Sequence, residues 1–197
     1  MVIRLKRCPM SHNFLSNTTF HLLLTTIDQE LAEQTRLAGC QCGGSLHKAD
    51  YPRSPFGLPQ LLRCHYQSRL SYCCAICRKR TTPPSVRFFG RRWFPAPLVI
   101  LISALQKGAT EHRCNLIKKH FGVLISPSTW KRWRLWWRTA FPKSHFWLHA
   151  KGLVPITHFN GPFPRELFSL FFGPLHERLI LLLKFLAPIT AGLFRAV

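Results

Sequence analysis

Eight cysteines are the residues of this 197-residue chain best suited to chemistry, and four of them stand in two close pairs. The first is Cys40-Gln41-Cys42, followed by Gly43-Gly44; the second is Cys74-Ala75-Ile76-Cys77, about thirty residues further on. Two such pairs suit four thiolates on one tetrahedral Zn²⁺. A thiolate ligand is stabilised when backbone N–H groups point at its sulfur, and tight turns aim them; Gly43 and Gly44 are expected to supply the permissive φ values. The second pair has the usual two-residue gap, whereas the first is one residue shorter. Cys73, Cys64, His65 and His47 therefore stay open as alternative ligands. The same spacing would also suit free buried thiols, or disulfides in an exported chain.

These cysteines need turns at the ends of strands to hold them. Gln67 to Cys73 alternates polar and apolar residues and predicts a strand running into the second turn, and Ser85 to Gly90 is a second strand candidate. Together they would make the small antiparallel sheet of a zinc ribbon. The proline- and glycine-rich text from Leu46 to Arg63 reads as a loop. Before the ribbon, Thr26 to Leu37 predicts a helix with acids in its first turns, closed by Gly39, while residues 1–25 show no clear period and are expected to be poorly ordered. After it come an apolar helix from Pro97 to about Gln106 and a helix from Glu111 to Phe121 closed by Gly122. A third, capped by Ser126 with Pro127 at its first turn, follows. In that helix Trp130, Trp133, Trp137 and Phe141 share one face and Lys131, Arg134 and Arg138 another. The run Leu175 to Leu186 is apolar but too short, and too charged, for a membrane span. The expected fold is α+β, mostly α, in four segments: 1–25, 26–94 (helix and ribbon), 95–148 (helical) and 149–197 (apolar, helical, of unassigned role).

Composition narrows the partners. With 28 Lys plus Arg against 7 Asp plus Glu the formal charge is +21, which calls for an anionic partner, nucleic acid before anionic membrane. At 47% hydrophobic residues the chain is too apolar for a disordered basic tail. The segment after the basic start, Met1 to Arg7, is broken by Pro9, Ser11, His12 and Asn13, so no secretory signal is read there and a reducing cytoplasm is expected. Catalysis is not expected. Two-metal strand transfer needs a carboxylate cluster, yet no Asp follows Asp50 and only Glu166 and Glu177 follow the third helix. No His-x-His pair and no His-Glu-x-x-His occurs either, and His145 with His149 is the only helix-spaced histidine pair near aromatic residues.

The text from residue 39 to about 148 resembles the zinc-ribbon plus helix-turn-helix region at the N-termini of insertion-sequence transposases and in their short companion proteins associated with mobile elements. The resemblance lies in Cys40-Gln41-Cys42-Gly43-Gly44, Leu46 to Arg53, Ser71 to Arg80, Thr81 to Phe88 and the helix pair around Phe121-Gly122-Val123 and Ser126 to Trp130. It implies a structural Zn²⁺ and a role as a DNA-binding accessory or regulator of transposition, with double-stranded DNA and a transposase as partners. Lys131, Arg134 and Arg138 would contact DNA, and Arg78, Lys79, Arg80, Arg87, Arg91 and Arg92 would widen the electrostatic footprint. A nucleoid-associated, cytoplasmic protein follows from that reading. Two other classes suit the same composition: a protein lying on anionic membrane through its basic aromatic segment, and an RNA or single-strand binder that stacks bases on its aromatics.

Overall fold

The structure, a computed structural model, describes residues 15–53, 58–89, 94–104, 110–121, 123–154 and 163–191. Its first helix, α1, spans Thr18–Ala38 and starts eight residues before the expected Thr26. Asn17 caps it, its side chain accepting from the Thr19 N–H at 2.8 Å, and Gly39 ends it, as expected. The period was hidden because Leu22 and Leu23, both exposed, stand beside the buried Phe20, His21, Leu24 and Ile27. The longer helix moves Asp28 from a first turn to the interior, where its side chain is fully buried.

The ribbon has three short antiparallel strands, β1 (Leu46–Lys48), β4 (Tyr72–Cys74) and β5 (Arg80–Thr81), in the order β1-β4-β5. Beside them β2 (Tyr51–Pro52) pairs with β3 (Ser68–Arg69), and a 3₁₀ segment covers Gln60–Tyr66. The expected loop from Leu46 to Arg63 thus contributes two strands. The strand expected over Ser85 to Gly90 is absent from its described part, residues 85–89, apart from one bridge between Phe88 and Pro95. Its backbone is satisfied by side chains instead: the Val86 N–H donates to Asp28 Oδ1 at 2.6 Å, and the Ser85 N–H to Thr190 Oγ1 at 2.8 Å.

That stretch is clamped by a buried ion pair. Arg87 Nε donates to Asp28 Oδ2 at 2.7 Å, Ser85 Oγ donates to the same oxygen at 2.6 Å, and Arg87 Nη1 donates to the His65 carbonyl. Arg69, also buried, donates to the Pro83 carbonyl; burial lowers its pKa, and the charge of Asp28 opposes that shift. Nearby, His21 Nε2 faces the Leu15 carbonyl at 2.7 Å and Nδ1 faces the Tyr66 hydroxyl at 2.9 Å. A carbonyl only accepts, so Nε2 carries the proton and the tyrosine donates to Nδ1. Burial lowers the pKa of this histidine and so holds the ring neutral.

The remaining helices are α2 (Ala96–Ala104), α3 (Glu111–Phe121), α4 (Pro127–Thr139), α5 (His145–Ala150), α6 (Arg165–Phe168) and α7 (Leu175–Leu186). Four of them, α2, α3, α4 and α7, fall where the sequence placed them, and two short ones, α5 and α6, were not expected as elements of their own. Ser126 caps α4, accepting from the Thr129 N–H at 3.2 Å, and α2 is buried from Ala96 to Ser103. Gly122 lies outside the described residues. Leu98, Ile102, Cys114, Ile117, Val123, Ile125 and Trp130 close a core between α2, α3 and α4. A larger core gathers Leu24 and Ile27 of α1, Ile100 of α2, Trp137 of α4, Phe141, and Leu179, Leu182, Leu183 and Leu186 of α7. One packed interior therefore draws on residues from all four sequence segments. Among the described residues no helix is long and apolar enough to cross a membrane.

Candidate metal centre

Two turns bring the paired cysteines together. The first runs Cys40 to Gly44: the Gly43 N–H donates to the Cys40 carbonyl at 2.8 Å, and Gly43 takes φ 79°, the left-handed region open to glycine. The second turn follows β4 directly. Its backbone N–H groups at Cys77 and Ile76 donate to Cys74 Sγ, and that of Lys79 to Cys77 Sγ. Arg78, with φ 59°, lets the chain reverse into β5, and the Cys74 N–H meets the Lys79 carbonyl at 3.0 Å. The turns are joined by the Leu46–Cys74 register of β1 and β4 and by the Ala75 N–H on the Ser45 carbonyl at 2.9 Å.

The result is a four-sulfur cluster of Cys40, Cys42, Cys74 and Cys77, whose Sγ atoms all lie within 4.8 Å of one another. Cys40 and Cys77 are 3.6 Å apart and Cys42 and Cys74 3.4 Å. Those separations are far longer than a disulfide bond of about 2.05 Å. They lie near the edge of about 3.8 Å expected for sulfurs around a tetrahedral ion at about 2.3 Å. A metal ion fits the cluster.

The electrostatics of the thiols lead to the same conclusion. The N–H groups of Cys77 and Ile76, with thiol donors from Cys42 and Cys77, bring Cys74 down to about 6, so it is a thiolate near neutrality. Although the Lys79 N–H favours the Cys77 thiolate, the neighbouring Cys42, Cys40 and Cys74 sulfurs, together with burial, push its thiol up to about 12. One negative sulfur is tolerated and a second close by is not. A divalent cation removes that conflict by replacing protons with a shared positive charge.

Gly44 has a role that its sequence context did not reveal. It does not carry the left-handed φ expected of it; a Cβ there would fall 2.6 Å from Cys74 Sγ, so only glycine lets the first turn close over the cluster. Gly44→Ala is expected to lower the metal content of the purified chain severalfold while leaving the helices intact, as read by metal analysis and circular dichroism.

The four alternative ligands stay outside the cluster. Cys73 is adjacent to Cys74 but points to the other face of β4, where its Sγ donates to the Arg78 carbonyl at 3.4 Å. Cys64 is exposed and donates to the Leu61 carbonyl, and His47 faces Ser45 Oγ at 3.3 Å. His65 sits in the 3₁₀ segment with its carbonyl on Arg87. Of the helix-spaced pair, His149 Nδ1 faces the His145 carbonyl at 2.7 Å, and among the described residues no group of three or more metal-type side chains gathers around the two histidines.

The expected DNA contacts divide. Lys131 and Arg138 are exposed on α4, while Trp130 and Trp137 are fully buried and Trp133 half-buried, as the period predicted; Arg134, expected on the basic face, is half-buried and lies between the two faces. Arg132 is exposed too and donates to Thr129 Oγ1 at 3.2 Å. Arg78, Lys79 and Arg80 are exposed at the second turn, with Arg80 donating to the Ala49 carbonyl at 2.8 Å. Arg87 is a correction: it is 4% exposed and engaged by Asp28, so it cannot reach a ligand in solution. Arg91 and Arg92 lie outside the described residues. The chain matches no protein-family model, no curated protein and no solved structure.

Proposed function

We propose that this chain is a non-catalytic, zinc-dependent protein that binds double-stranded DNA, acting as an accessory or regulator of a mobile element, with a transposase as its protein partner. Zn²⁺ is the ion favoured by four thiolates in a closed site, and its role there is structural, since no open ligand position is left for water. The observation that carries the DNA reading is the division of α4. Its indoles are committed to two cores, which leaves Lys131, Arg132 and Arg138 exposed on a helix of about 20 Å that bears no acid. A helix of that width and charge suits a major groove. The excess of cations over acids in the chain as a whole supports the same class of partner.

Single-stranded nucleic acid is the second reading. It is favoured by Tyr51, whose ring has the guanidinium groups of Arg53 and Arg80 at 5.1 and 5.5 Å, an extended π surface beside the ribbon. Salt-titrated binding to duplex DNA, single-stranded DNA and RNA separates the two. Lys131→Ala and Arg138→Ala are each expected to weaken duplex binding and to flatten the slope of log K against log salt by about 0.9, with stability changed by less than about 0.5 kcal/mol. A slope unchanged in both variants would move the interface off α4.

A further inference from the structure

The solvent face of α4 is not uniformly basic. At its crest stands Leu135, 58% exposed. At about 100° per residue, Lys131 and Arg138 fall about 40 to 60° to one side of it, and Thr139 and Arg132 about 40 to 60° to the other. Ser128 lies two turns earlier on nearly the same line, and all five flanking residues are exposed. Arg134, by contrast, is half-buried and falls about 40° from the buried Trp130 and about 100° from Leu135, away from the crest.

This layout suits a duplex groove better than a second copy of the chain. A second copy docking its own α4 here would oppose three cations to three cations, a like-charge juxtaposition that disfavours self-association. A groove offers the complement: phosphates along both rims for the flanking cations, and base edges at its floor for the residue on the crest. A leucine can neither donate nor accept a hydrogen bond. The apolar group that a base presents in the major groove is the C5-methyl of thymine.

We infer that Leu135 is a specificity-determining residue that reads pyrimidine 5-methyl groups in the major groove, with Lys131, Arg132 and Arg138 holding α4 on the phosphates to either side. The inference rests on the duplex-binding reading above and deepens it, by naming what the helix prefers.

The test uses the full zinc-loaded chain and two pairs of duplex polymers that differ only in that methyl: poly(dA-dT) against poly(dA-dU), and poly(dG-dC) against poly(dG-d5mC). Wild type is expected to bind the methylated member of each pair about fourfold more tightly per methyl contacted. Leu135→Ala should bring both ratios to about one while keeping the salt slope, because the phosphate contacts remain. Lys131→Ala should weaken all four polymers alike and preserve the ratios. Salt-dependent binding to every duplex with ratios that Leu135→Ala does not change would overturn the inference and leave the DNA reading standing. No binding to any duplex would overturn both. A wild-type dimer that Leu135→Ala converts to a monomer in size-exclusion chromatography would assign the leucine to a protein interface and overturn it too.

Discussion

Cys74→Ser is expected to abolish metal binding and unfold the ribbon, whereas Cys73→Ser, one residue away, should leave metal content at about one Zn²⁺ per chain. The contrast follows from the alternation of β4: Cys74 is buried inside the four-sulfur cluster and Cys73 faces the other way. The expected effect is large because the ribbon has little else to hold it. Its core amounts to Ala32, Leu46, Tyr72 and Cys74, with Leu70, Cys40 and Cys77 packed alongside. Structural Zn²⁺ in small domains contributes apparent binding free energies of about 10 to 16 kcal/mol, far more than such a core supplies. Chelation of wild type should therefore expose the two cysteine turns and their strands, residues 40–48 and 72–81, to proteolysis while the helical core persists. Zinc uptake should also release protons, Cys77 surrendering the one that its neighbours hold to about 12, so affinity should fall steeply as pH is lowered. Metal analysis and limited proteolysis read both effects; zinc retained by Cys74→Ser, or lost equally by Cys73→Ser, would sink the assignment.

Asp28→Ala should destabilise the folded chain by about 3 to 5 kcal/mol, the range for removing one partner of a buried pair. The carboxylate does several things at once: it neutralises Arg87, accepts from Ser85 Oγ and takes the Val86 N–H. Without it Arg87 and Arg69 would lie buried with no acid close by, and a backbone N–H would lose its acceptor. Asp28→Leu combined with Arg87→Leu should recover part of the loss, since an apolar pair leaves neither charge stranded. Chemical denaturation of the zinc-loaded protein measures both variants against wild type. A change below about 1 kcal/mol for Asp28→Ala would mean that the clamp is not formed in solution.

The two predictions differ in how far each could be read from the residues alone. The cluster was legible because its ligands come as pairs in tight turns, so each turn places two sulfurs locally and only one long-range match, β1 against β4, is needed. The choice between Cys73 and Cys74 depended on strand register, a tertiary fact in which a one-residue slip turns every side chain to the other face. The ion pair was not legible. Asp28 and Arg87 are 59 residues apart, and each had a reasonable local role, a helix-dipole acid and a surface cation, that burial overrode.

The sequence by itself determined the local elements: α3, α4 and α7 end where their caps, prolines and apolar periods place them, and the indole face of α4 is the face that packs. These are short-range effects, decided by 3.6-residue geometry and by which backbone groups lack partners at helix ends. Tertiary structure alone decided the rest. It extended α1 back to Thr18, because Phe20 and Leu24 gain burial in a core completed by α7 from the far end of the chain. It kept residues 85–89 from forming a strand, because Asp28 and Thr190 supply the acceptors that a neighbouring strand would have offered.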